Sequence, residues 1–198
     1  MCGGIVDADD LIAELKQLAE EEIRQRDPKN RLSIAEISRR SEIIGVGAIK
    51  FYLLKVRPTQ SINFDPAESI SFDGFTGPYC QYAYARIFGI LEKSRKKEID
   101  LNTCDFSVLG NPEELQLLQK LIQFPQEIQG AVQEYNPSKI AGHIFNTAKA
   151  FNQFYNKHPV LRAGNDKLIA ARLALIKAVA VVLKKGLNLL GIEVLENM

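Results

Sequence analysis

Two phenol rings, an alanine and a guanidinium recur at helical spacing in the segment from Gly74 to Arg86. At about 100° per residue, Tyr79, Tyr82, Ala83 and Arg86 fall on one face of a helix, and Tyr84, Ile87, Phe88 and Leu91 fall on another. Gly77 and Pro78 punctuate a turn, and a helix that starts on Pro78 has its first backbone angle preset by the ring. The Tyr84 set is apolar and at core spacing. The Tyr79 set offers aromatic platforms beside a cation, with a gap kept open by the alanine. Unstacked single-stranded bases need such a surface, since every base has a π-face and every linker a phosphate. This is a candidate RNA-reading face. Tyrosines near a helix start also serve as ordinary packing residues with the hydroxyl at the surface, and spacing alone leaves both readings open.

No competing chemistry emerges from the rest of the chain. The histidines, His143 and His158, are two in number and separated in sequence, so no metal site is expected. Cys2, Cys80 and Cys104 lack metal-ligand spacing, and three cysteines argue against a disulfide framework. They read as reduced thiols of a cytoplasmic protein, with Cys80 a packed thiol between candidate site residues. Gly3-Gly4 and Gly45-Val46-Gly47 lack the lysine and the strand context of a phosphate-binding loop. Asp9-Asp10 and Glu113-Glu114 sit at predicted helix starts, where the helix dipole accounts for them. No local Ser-His-Asp or Cys-His arrangement is supported. The first ten residues carry three aspartates and no basic residue, unlike a signal peptide, and no run approaches the ~18 to 20 apolar residues of a membrane span.

The elements that must position the candidate face all read as helices. The chain has 198 residues, 46% of them hydrophobic, ample for a core. Asp7 caps a first helix running to about Gln25, with Leu11, Leu15 and Leu18 on one side. Pro28 to Asn30 break it. Ser33 and Glu36 have capping-box spacing, opening a helix to about Val56. Gly45 and Gly47 each cost that helix about 1 kcal/mol against alanine, which close helix–helix contact explains. The helix from Pro78 is predicted to continue to about Lys97, ending on Lys93, Arg95, Lys96 and Lys97. Asn111 and Pro112 start another, which Phe124-Pro125 is predicted to interrupt, with a second helix carrying Ile128 and Val132. Two more helices run from Ser138 to about Lys157 and from Asp166 onward, the last apolar on most sides and so predicted to be central. The expected fold is an all-α helical bundle.

Net charge is +1, but its distribution is uneven. Eight basic residues against Asp166 alone lie between Lys149 and Lys185, whereas seven acidic residues against Lys120 alone lie between Glu98 and Tyr135. The basic part is expected to meet a phosphate backbone and the acidic segment to face away from it.

Ser71-Phe72-Asp73-Gly74, Thr76-Gly77-Pro78-Tyr79 and Gln81-Tyr82-Ala83-Tyr84-Ala85-Arg86 resemble the segment that opens the anticodon-binding domain of arginyl-tRNA synthetases. Ile43 to Phe51, Phe151 to Leu161, and Arg172 to Met198 resemble further segments of that family in the same order. Gly3 to Ile12 resembles the stretch just after the family's lysine-rich catalytic loop, and the loop itself is missing. The resemblance implies a carboxy-terminal piece of a larger ATP-dependent arginine–tRNA ligase. Residues 1–60 would be the end of the catalytic domain and linker helices, and residues 61–198 the anticodon-binding bundle. It implies tRNA-binding roles for Tyr79, Tyr82, Ala83 and Arg86, with opposing walls from Tyr155, His158 and Met198. Arg86 would serve a base edge or a phosphate. The expected partners are the anticodon loop of an arginine tRNA and the catalytic domain of the same polypeptide, with no membrane partner and a monomeric state. The piece is expected to be catalytically inactive and to need no cofactor, whereas the parent enzyme would use ATP and magnesium. The alternatives are a helical protein-interaction module with a salt-insensitive surface and the anticodon domain of a related synthetase such as the cysteinyl one.

Overall fold

The computed structural model describes residues 7–27, 31–95 and 104–198. The Gly3-Gly4 segment, Cys2, the Pro28 to Asn30 breaker, Lys96 and Lys97 lie outside the described residues. The elements are α1 (Ala8–Arg26), α2 (Ile34–Leu54), the short α3 (Pro66–Ser69), α4 (Gly77–Ser94), a 3-10 turn (Phe106–Val108), α5 (Pro112–Gln133), α6 (Ser138–Lys157) and α7 (Asp166–Leu189). There is no strand among the described residues, and none of their helices is long and apolar enough to cross a membrane.

The helix starts are local and chemically explicit. Asp7 accepts from the Asp9 amide, Thr76 from Tyr79 and Asn165 from Leu168 (2.8 Å), each satisfying an amide that has no partner inside its helix. Ser33 likewise accepts from the Glu36 amide, but the predicted reciprocal box is only half formed. The Glu36 carboxylate turns instead to Arg39 (3.0 Å) and Arg40 (2.7 Å), whose hydrogen bonds hold its carboxyl down at about 2. A reaching-back carboxylate does occur at α5, where Glu114 accepts from the Asn111 amide at 2.9 Å.

Helix α2 runs back along α1, so that Gly45 lies against the backbone of Leu15 and Lys16. Leu15, Ala19, Ile37, Ile44 and Ala48 form a core between them. A larger core gathers α4, α5, α6 and α7, with Ile87, Leu117, Ile144, Phe151, Phe154, Ile176 and Leu183 essentially inaccessible. Burying an aliphatic or phenylalanine side chain of this kind contributes about 1.5–3 kcal/mol. Helix α7 supplies more buried residues than any other described helix, as its all-round apolarity predicted. His143 is buried here, stacked on Phe124 at 5.6 Å, and burial pushes its imidazole below the usual histidine range.

Two expectations are overturned. The chain does not break at Phe124-Pro125: α5 continues through Pro125 to Gln133. Proline inside a helix costs about 3 kcal/mol by removing one hydrogen bond and crowding the preceding turn. Phe124 and Ala131, buried on either side of it, dock both halves of α5 onto the same core, while Pro125 itself is exposed. Val132 is largely exposed. The described part of the acidic segment also does not face away from the basic part. Glu113 pairs with Lys157 and bonds His158, and Glu114 pairs with Arg172, because the start of α5 packs beside the end of α6 and the start of α7.

Candidate nucleic-acid interface

Thr76 sets the start of α4 by two bonds: its hydroxyl donates to the Ser71 carbonyl at 2.6 Å and accepts from the Tyr79 amide. From that start, Tyr79, Tyr82 and Arg86 project from α4 as partly exposed side chains. They are linked rather than independent. An Arg86 Nη2 donates to the Tyr82 hydroxyl (3.0 Å), and an Nη1 donates to Asn152 Oδ1 (3.2 Å). Asn152, from α6, uses its Nδ2 to donate to the Tyr79 hydroxyl at 2.9 Å. The guanidinium also lies over the Tyr82 ring at 4.7 Å and 5.5 Å from the centre of the Tyr155 ring. Tyr155 is itself stacked on Phe151. The structure therefore brings Tyr79, Tyr82, Arg86 and Tyr155 into one array. Asn152, which spacing on α4 could not reveal, is its bridge.

Chemically, the array is a cation held between two phenol rings, with a third ring tied to it through Asn152. A guanidinium carries five N–H donors, and its bonds to Tyr82 and Asn152 use two of them. Carbonyl oxygens, ring nitrogens and phosphates are the acceptors a nucleic acid offers to such donors. The ring faces add a sequence-tolerant stacking surface.

The other predicted site residues are placed differently. Ala83 has no exposed surface and belongs to the core, so it spaces the rings without touching a ligand. His158 is turned onto α5, where its Nε2 lies 3.0 Å from Glu113 Oε2, and it packs on Phe154. As folded, it ties α6 to α5 rather than presenting an open wall. Hydrogen bonds from Lys157 and His158 hold the Glu113 carboxyl down at about 2, against its ordinary 4.5. A depressed carboxyl stabilises the fold only while it is ionised. The stabilisation is present above the ordinary value and is lost as pH falls from about 4.5 toward 2. Acid unfolding followed by circular dichroism should be shallower across that window in Glu113→Gln than in the parent protein, and superimposable curves would show that this contact contributes nothing to acid stability.

Met198 is partly buried and packs against the core between α1 and α2. It lines a cleft of about 370 Å³ with Asn197, Phe72, Ile23, Ile44 and Arg26. This cleft adjoins the array through Phe72, whose ring meets Tyr82 edge-on at 6.1 Å. Arg26, at the end of α1, lies 4.1 Å over Phe72 and 5.9 Å from the Tyr82 ring centre. No sequence signal pointed to Arg26, because its approach to α4 depends on how α1 packs. Cys80 is fully buried, and burial pushes its thiol far up, so it is a packing group. Among the described residues, no group of three or more His, Cys, Asp or Glu side chains could hold a metal ion.

The described residues thus form an all-helical bundle that carries an aromatic and guanidinium array across α4 and α6, flanked by a cleft. Residues 80–198 match the family model described as the DALR anticodon binding domain. The chain belongs to that family. It is 38% identical over 196 residues to the arginine–tRNA ligase of Clostridium kluyveri, covering 99% of this chain and 34% of the relative. It is 41% identical over 199 residues to that of Clostridium beijerinckii, again 99% of this chain and 34% of the relative. Among solved structures, Thermus thermophilus arginyl-tRNA synthetase superposes with a TM-score of 0.89 at 31% identity, over 100% of this chain and 33% of that one. The chain thus spans about a third of the length of these relatives.

Proposed function

We propose that this chain reads the anticodon loop of an arginine tRNA as part of an arginine–tRNA ligase. The observation that carries the reading is the Tyr79–Asn152–Arg86–Tyr82 network, joined by Tyr155, in a chain of an anticodon-binding family. A splayed base stacks on a phenol face, and Arg86 is held within reach of its edge or of the adjoining phosphate. Asn152 fixes both the guanidinium and the Tyr79 hydroxyl before RNA arrives, so little ordering remains to be done on binding. Met198 and Phe72 supply an apolar wall beside the array. In this reading residues 1–60 belong with the catalytic part of the same polypeptide, which uses ATP and magnesium, and the protein is a cytoplasmic monomer.

The test is binding to an arginine anticodon stem-loop at two salt concentrations, beside a control loop changed only at the middle cytosine. Affinity should fall steeply with salt. It should also fall by about 1–3 kcal/mol with the base change and again in Tyr82→Ala. Equal affinity for both loops would reduce the interaction to an electrostatic RNA contact, and salt-insensitive or absent binding would favour a protein-interaction module.

A further inference from the structure

We propose that Gln81 is a positioning residue that latches the segment 191–198 in register and thereby places Met198 in the cleft that it lines together with Phe72. The consequence for RNA rests on the anticodon reading, whereas the latch itself does not. Gln81 lies between Cys80 and Tyr82 on α4, yet it has no exposed surface. It touches no ligand directly. Its amide nitrogen, with two N–H donors, faces two backbone carbonyls: Glu193 at 2.8 Å and Ile43, on α2, at 3.4 Å.

The surroundings close tightly around the amide nitrogen, whereas the amide oxygen is buried without a hydrogen-bond partner. A Cβ on Gly47 would fall 2.8 Å from the Gln81 nitrogen and 3.1 Å from Ile192 Cγ2. A Cβ on Gly77 would fall 2.8 Å from the Gly47 carbonyl oxygen. Two glycines thus let α2, α4 and the segment after α7 converge on one side chain. Gly191 turns the chain out of α7 with φ at +70°, a conformation that favours glycine. Its carbonyl accepts from Lys50 at 2.6 Å.

Beyond Gly191 the segment is not helical. Its carbonyls therefore have no helical partners, and the Glu193 carbonyl, on a residue that is exposed overall, is met by the Gln81 side chain. Ile192 enters the larger core and Leu195 the core between α1 and α2. Two apolar plugs alone would tolerate small shifts along the segment. The directional bond to Glu193 O does not, and it sets where Asn197 and Met198 sit in the cleft that they line with Phe72 and Arg26.

The chain has two methionines, Met1 and Met198, so 13C-methyl-methionine labelling gives each a separate signal. In Gln81→Leu, the Met198 methyl should move to the position of a solvent-exposed methionine. Amide exchange over residues 192–198 should rise at least about tenfold while α6 and α7 keep their protection. If that variant does not fold, Gln81→Met keeps a similar length and volume and removes the donors. Stem-loop affinity should fall about tenfold in the Gln81 variant, and Met198→Ala should cost nothing further in that background, the non-additivity of two residues acting as one unit. An unmoved Met198 methyl with a protected segment would overturn the latch. A loosened segment with unchanged affinity would overturn its link to RNA binding. If the parent protein binds no stem-loop, the anticodon reading fails, and the methyl and exchange measurements still decide whether Gln81 positions the segment.

Discussion

Arg172→Met is expected to lower the stability of the protein by about 3–5 kcal/mol, the usual cost of stranding one partner of a buried ion pair. Arg172, on α7, and Glu114, on α5, are both essentially inaccessible, and Arg172 Nε donates to Glu114 Oε1 at 2.8 Å. An Nη1 of the same guanidinium donates to the Pro159 carbonyl at 2.9 Å, holding the connection between α6 and α7. Burial alone would raise the Glu114 carboxyl. The Asn111 amide, the Arg172 guanidinium and the Asn111 side chain together overcome burial and keep it below the usual range. Methionine preserves much of the volume but leaves both the carboxylate and the carbonyl without their donor. Urea unfolding should show a lower midpoint with an unchanged slope. Arg172→Lys, which cannot make both bonds in the same fork geometry, should fall between the two. Adding Glu114→Gln to Arg172→Met should recover part of the loss, because the stranded charge is gone. A loss below about 1 kcal/mol for Arg172→Met would mean that water or a rearranged loop replaces the guanidinium.

Gly45→Val should be nearly as damaging, at about 3 kcal/mol, the upper end of what overpacking costs. A Cβ added at Gly45 would lie 3.1 Å from Leu15 C and Lys16 N and 3.2 Å from the Leu15 carbonyl oxygen. These are backbone atoms in the middle of α1, so relief requires the two helices to move apart. Doing so loosens Leu15, Ala19, Ile44 and Ala48, the centre of the smaller core. The gain in helix propensity over glycine, below about 1 kcal/mol, cannot compensate. Amide exchange by mass spectrometry should show faster exchange across α1 and α2 in this variant, with α5 to α7 little changed. Uniform loss of protection through the whole chain would show instead that the two cores unfold as one unit.

The parts of this protein that sequence determined are those governed by neighbours along the chain. Asp7, Thr76 and Asn165 cap amides near the starts of their helices, and of the helical stripe Ile140, Ile144, Phe145, Ala148 and Phe151 all but Phe145, which is partly buried, are buried on one side of α6. The all-round apolarity of α7 announced its central place, and Gly45 and Gly47 announced close helix contacts. Tyr79, Tyr82 and Arg86 were legible as one face because they repeat at helical spacing, and residues 71–86 carried the family resemblance. Other features depend on distances across elements, which local spacing does not encode. Packing on either side carried α5 through Pro125, where the chain signal alone predicted a break. The approach of α5 to α6 and α7 turned Glu113 and Glu114 toward Lys157, His158 and Arg172, took His158 out of the predicted wall, and brought acidic and basic segments together. Ala83 shares the angular position of the rings but is too short to reach past α4's neighbours to solvent, so tertiary packing placed it in the core. Asn152 and Arg26 joined the array from α6 and α1 for the same reason. A helix periodicity says which side chains share a face, and only the packing of other helices against that face decides which of them remain open and what bridges them.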